Sequence, residues 1–113
     1  MDATEPLAKR RCIPCEGGIP KLEPAAATEL LARLDRAWTI EDGHHLHREF
    51  RFADFVSGLA FVNQVAAIAE ENGHHPELLL TWGKVGVTIW THTVNGLTES
   101  DFILAAKIDE SRA

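Results

Sequence analysis

Basic side chains are in short supply: 11 Lys and Arg stand against 17 Asp and Glu, a net charge of −6 over 113 residues. An acidic surface repels phosphate backbones, and Lys9-Arg10-Arg11 is the only basic cluster, so direct nucleic-acid binding is set aside. No run approaches the ~18–20 apolar residues of a membrane span. Met1 to Lys21, broken by Pro6, Pro14 and Pro20, lacks the apolar block of a secretory signal. There is no Ser-containing nucleophile elbow, no Gly-rich phosphate loop, no internal repeat and no low-complexity tract. What is there is ample for a core. The chain is 45% hydrophobic, which excludes wholesale disorder. At this length one domain buries about 60–70% of its unfolded surface without metal or disulfide staples. The class is a single cytoplasmic domain.

Residues 1–23 read as a flexible leader with Gly17-Gly18 and a Cys12-x-x-Cys15 pair, and 24–113 as the domain. Pro24 opens a first helix running to about Ala37, with Leu30, Leu31 and Leu34 as its stripe. Trp38-Thr39-Ile40 is a short strand, and Asp42-Gly43 signals a hairpin. On the returning strand Leu46, Arg48, Phe50 and Phe52 share one face, and His45, His47, Glu49 and Arg51 the other. A long helix follows, about Asp54 to Asn72, ended by Gly73. Phe55, Leu59, Val62, Ala66 and Ala69 mark its core face. Phe61, Val65 and Ile68 form a second stripe that calls for another helix or a second subunit. Leu78–Trp82 and Val85–Thr91 form a second hairpin around Gly83-Lys84, and Thr98 caps a short last helix, Phe102–Ile108. The fold class is therefore α+β: a four-stranded antiparallel sheet with three helices on one face, in the order α-β-β-α-β-β-α.

Six histidines invite a metal reading. Cys12 and Cys15 have the spacing of half a zinc site, and His44, His45 and His47 complete it only if the leader folds back; otherwise these histidines face solvent. The other three make a different case. With the second hairpin turning at Gly83, His74 falls opposite His92; with a two-residue Gly83-Lys84 turn, His75 does. Either register brings the His74-His75 corner against His92, with facing positions ~4.5–5.5 Å apart. Three neighbouring imidazoles do not all carry a proton near neutrality, because like charges disfavour the charged form. Such a mixture can donate one proton and accept another on a bound small molecule, worth about 10²–10⁴-fold in rate. A His₃ zinc site is the rival reading. Glu70, one helical turn before His74, can orient an imidazole, and Asp101 is either the third residue of a capping box with Thr98 or part of the site. Trp82 and Trp90 are either core or the wall of a flat-ligand pocket.

These residues fall in a known order. Glu70-x-x-x-His74-His75-Pro76, five residues, Trp82, nine residues, His92, eight residues, Asp101 resembles the signature of the pterin-4a-carbinolamine dehydratase family. The text from Gly73 onward is similar to bacterial members, and the likeness is looser over 24–69. The resemblance implies a small α+β hydro-lyase, a homodimer or homotetramer, using neither cofactor nor metal. Its substrate would be 4a-hydroxytetrahydropterin, dehydrated to quinonoid dihydropterin in tetrahydrobiopterin recycling beside an aromatic amino-acid hydroxylase. It implies His74 and His92 as the proton-transfer pair, His75 as the residue holding the pterin, and Glu70 and Asp101 as supports. Gly73, His74, His75, Trp90, Thr91, His92 and Thr93 would surround the ring. The same family includes binding proteins, a transcriptional coactivator and Rubisco assembly factors, which stand as the alternative.

Overall fold

In the first hairpin, Asp42 and Gly43 both take positive φ (55° and 63°), and His44 N–H closes the turn on Glu41 O at 2.9 Å. This is the turn that Asp-Gly favours, and it sets β1 (Thr39–Glu41) against β2 (His45–Arg51). The computed structural model describes residues 6–9 and 20–112. The remaining elements are α1 (Pro24–Leu31), α2 (Phe55–Asn72), β3 (Glu77–Thr81), β4 (Lys84–Ile89) and α3 (Glu99–Arg112), with 3₁₀ turns at Leu7–Lys9 and His92–Val94. The four strands pair antiparallel in the order β1-β2-β4-β3, the expected α+β architecture. Leu46 and Phe50 of β2 and Val85, Val87 and Ile89 of β4 are buried beneath the helices. Their alternates His47, Glu49 and Thr88 lie on the opposite, open face. None of the described helices is long and apolar enough to cross a membrane.

Arg48 sits on the core face as the alternation requires, and the fold accommodates it by pairing. Its Nη1 meets Asp109 Oδ1 at 2.9 Å and its guanidinium lies 4.3 Å from the Phe50 ring centroid. Burial pushes the Asp109 carboxyl above its ordinary value, opposed by the Trp38 Nε1 hydrogen bond (2.8 Å) and by Arg48.

Several boundaries differ from the sequence reading, each for a local reason. Helix α1 stops at Leu31 rather than Ala37. Arg33 and Leu34 tighten onto Leu30 O and Leu31 O, and Asp35 Oδ1 takes the Ala37 N–H at 2.9 Å, a local bond that competes with helix. The α3 helix is longer than expected, and its first turns are buried on every side. The β3–β4 turn is Trp82-Gly83, because Thr81 pairs with Lys84; the register is one residue off the nearer expectation, and β3 begins at Glu77. β4 ends at Ile89 because Thr91 bonds instead to Gly96 (N···O 2.8 Å), curling the chain.

The two stripes of α2 share the core: Ala69 of the first is buried and Val62 packs on the core, but the start of that stripe is not covered. Phe61 and Val65 are buried against the sheet, whereas Phe55 and Leu59 are 43% and 41% exposed. The helix meets the sheet along Gly58, where an added Cβ would lie 3.0 Å from Leu80 Cδ1 and 3.4 Å from Val85 Cγ2. Of the segment read as a leader, Leu7 is buried in the core, Lys107 Nζ holds Ala8 O at 2.7 Å, and Leu22 N–H bonds Leu97 O at 2.8 Å. Cys12 and Cys15 lie outside the described residues, and the half zinc site with them.

Candidate active site

The site is built where α2 ends. Gly73 adopts φ 62°, ψ 28°, the left-handed cap that glycine takes at least cost, and Pro76 prevents the helix from resuming. This reversal splits the adjacent histidines. His74 turns inward and is 3% exposed, while His75 remains at the surface, its Nε2 2.6 Å from Glu70 Oε2. Glu70 therefore supports His75. The helical i, i+4 geometry that pointed it at His74 no longer holds beyond the cap.

His74 finds its carboxylate on α3. Its Nε2 lies 2.5 Å from Oδ1 of Asp101, a residue with no exposed surface. Asp101 Oδ2 accepts the Thr98 N–H (2.8 Å) and the Thr91 hydroxyl (2.9 Å). The two readings of Asp101 are therefore compatible: one oxygen closes the first turn of α3 and the other holds the imidazole. A hydroxyl carries one proton, so with Thr91 donating to Asp101, the Thr98 hydroxyl donates to Thr91 Oγ1 (2.8 Å). The bond to an acceptor carboxylate also requires the hydrogen on His74 Nε2, so any proton His74 takes up arrives at Nδ1.

Beyond the end of β4, His92 is exposed and stacks on Trp90, ring centroids 4.4 Å apart at 28°. Gly73, His74, His75, Trp90, His92 and Thr93 line one shallow cleft of about 170 Å³. Among the sequence-derived candidates Thr91 does not line it. Its backbone bonds Gly96 and its side chain bonds Asp101 and Thr98, so it supports the site from beneath. Trp82, read as core or pocket wall, is neither: it is 72% exposed at the far end of the β3–β4 hairpin. A larger groove, about 720 Å³, lies between α1 and β1 and carries no histidine, so the convergent polar chemistry is in the smaller one.

The first hairpin's histidines divide between two neighbourhoods, all three partly exposed. His47 Nδ1 bonds Thr88 Oγ1 (2.9 Å) on the open sheet face. His44 and His45 instead lie beside Trp90, with centroids 5.3 and 6.0 Å from it. From sequence His44 and His45 are weighed only as zinc ligands or solvent-facing side chains, and Asn95 is not singled out. The β2–β4 register was the available signal, since Leu46 opposite Ile89 places His45 opposite Trp90. Among the described residues no three His, Cys, Asp or Glu side chains are arranged to hold a metal ion.

Residues 20–111 match the family model described as pterin 4 alpha carbinolamine dehydratase. A Rickettsia bellii protein provisionally named pterin-4-alpha-carbinolamine dehydratase is 49% identical over 109 residues, 96% of each chain. The fold is similar to the crystal structure of a transcriptional coactivator/pterin dehydratase from Brucella melitensis (TM-score 0.75, 37% identity, covering 80% of this chain and 97% of that one). It is also similar, at TM-score 0.57 and 26% identity over 66% of this chain and 88% of that one, to a pterin dehydratase-like protein described as a RuBisCO assembly factor in the alpha-carboxysome.

Proposed function

The chain belongs to the pterin 4 alpha carbinolamine dehydratase family, and from that premise we propose that it dehydrates 4a-hydroxytetrahydropterin to quinonoid dihydropterin and water. One observation carries the reading. A buried imidazole, His74, anchored through Nε2 by Asp101, shares a cleft with an exposed imidazole, His92. The reaction breaks the C4a–O bond, and the hydroxyl leaves with an added proton as water. The N5–H bond also breaks, its electron pair forming the C4a=N5 double bond and its proton passing to the protein. One proton is given and one is taken, so no net proton is consumed from the site. His74 and His92 are the two exchanging groups, one rigidly oriented and one in contact with solvent. His75, steadied by Glu70, holds the ring's polar edge. Trp90 and Thr93 form the wall beside it, and Gly73 leaves the approach unobstructed. The small cleft suits a flat bicyclic ring with its substituent left in water.

The protein works in the cytoplasm as a homodimer or homotetramer and serves an aromatic amino-acid hydroxylase, whose spent cofactor is the substrate. In an assay that generates 4a-hydroxytetrahydropterin with such a hydroxylase, the wild type accelerates dihydropterin formation. His74→Ala and His92→Ala each lose about 10²-fold or more of that acceleration. Equal rates with and without the protein would sink the proposal.

A binding role is the second reading, favoured by the similarity to the assembly factor and by the exposed apolar side chains of α2. Neighbouring genes separate the two readings: a hydroxylase gene supports recycling, and carboxysome or Rubisco genes support assembly.

A further inference from the structure

The β1–β2 turn is tied to the loop that carries His92 by a chain of side-chain bonds. His45 Nδ1 and His44 Nδ1 are 3.0 Å apart, and His44 Nε2 is 2.9 Å from Asn95 Oδ1. The donors order themselves. An amide oxygen only accepts, so His44 Nε2 carries the hydrogen; the neutral ring then presents a lone pair at Nδ1, which accepts from His45 Nδ1–H. Asn95 itself is held at φ 51°, ψ 50°, a conformation that asparagine tolerates better than most residues, and its N–H bonds His92 O at 3.2 Å. Both histidine rings lie against Trp90, at 5.3 and 6.0 Å, and Trp90 in turn stacks on His92 at 4.4 Å. His92 is exposed and sits on a 3₁₀ turn of only three residues, so its ring has little else to orient it.

We infer that His44, His45 and Asn95 are positioning residues. They clamp the first hairpin onto the 92–95 loop, fix the plane of Trp90, and through Trp90 set the orientation of the His92 imidazole. None of the three lines the cleft, so their effect reaches the reaction through His92. The inference rests on the dehydratase reading for its kinetic consequence, and on ring geometry alone for its structural one.

Asn95→Gly is the decisive variant. Glycine adopts the left-handed conformation without strain, so the substitution removes the tether to His44 and leaves the backbone at ease. The expected result is a fall in dehydratase kcat of about tenfold with KM changed less than about twofold, because a proton-transfer group is misplaced while the ring-binding surface persists. His44→Ala behaves alike, and Asn95→Asp, which keeps an acceptor for His44 Nε2, restores kcat. Independently, the His92 ring C–H proton resonances in the wild type carry the ring-current shift of a stacked indole, and that shift collapses in Asn95→Gly and His44→Ala. A wild type without dehydratase activity overturns the proposed function and leaves the ring-current arm standing. Unchanged His92 resonances in both variants overturn the clamp. So does a loss of kcat that Asn95→Asp fails to restore, or a rise in KM alone.

Discussion

Asp101 accepts three hydrogen bonds with two oxygens, from His74 Nε2, Thr91 Oγ1 and Thr98 N, and has no exposed surface through which water could substitute for any of them. Replacing it with Asn keeps one acceptor and turns an NH₂ group toward neighbours that are themselves donors. Whichever way the amide faces, a buried donor is left opposing a donor, at a cost of about 1–3 kcal/mol. If the NH₂ faces His74, the imidazole must also switch tautomer and lose the orientation on which the proposed proton transfer depends. Asp101→Asn should therefore destabilise the fold in urea titration and lower dehydratase turnover by about 10²-fold. Thr91→Val separates the two effects. It strips one bond from the carboxylate and one from the Thr98 hydroxyl, for a comparable stability loss of about 1–2 kcal/mol, while His74 keeps its partner. Its turnover should fall less than about tenfold. If the two variants lose turnover in equal measure, Asp101 acts through general stability and not through His74.

At the scale of elements, strand alternation and turn chemistry were readable because each depends on a local rule. Asp42-Gly43 met a known turn, and β2 put Leu46 and Phe50 inward as its pattern requires. The second hairpin has no such pair. In Trp82-Gly83 only the glycine takes positive φ (76°), so the sequence allows Gly83 at more than one turn position, and the observed register lies one residue from the expected one. At the start of α2 the buried face lies away from Phe55 and Leu59, because the position that sets the helix against the sheet, Gly58, contributes no hydrophobicity to a periodicity count. For the site, the spacing from Glu70 to Asp101 was legible, whereas which carboxylate meets which histidine depended on the left-handed turn at Gly73. Capping of α2 is only half legible: the pattern starts the helix at about Asp54, whose Oδ1 in fact caps it by accepting the Ser57 N–H at 2.8 Å. These bonds to Ser57 hold the Asp54 carboxyl below its usual range. The sign follows: the ionised form is favoured by folding, so the stabilisation is complete above about pH 4 and is lost as pH falls through the depressed folded-state value. Asp54→Ala should thus lower Tm at pH 7, and the gap to wild type should close toward about pH 2. A gap that persists in acid would assign the effect to helix propensity instead of the cap.

At the scale of the whole molecule, the large exposed hydrophobics among the described residues lie in two stretches of the chain. Phe55, Val56 and Leu59 lie at the start of α2, Val56 being 71% exposed. Leu79 (64%) and Trp82 (72%) lie on and beside β3, which among the described residues is an edge strand paired only with β4. An edge of this kind exposes backbone donors and acceptors as well as apolar side chains, so it is a surface that another chain can extend. A single self-complementary surface closes a dimer, and two independent ones build a dimer of dimers. Sedimentation equilibrium of the wild type at about 100 μM should therefore report a homotetramer. A charge on one surface alone, Val56→Glu with Leu59→Glu or separately Leu79→Lys, should halve the mass, and the combined variant should be a monomer. The cleft is lined from Gly73–His75 and Trp90–Thr93 of one chain, so dehydratase turnover per chain in the half-mass variants should stay within about twofold of wild type. A wild type that sediments as a monomer would leave both surfaces to other partners and shift the weight toward the binding role.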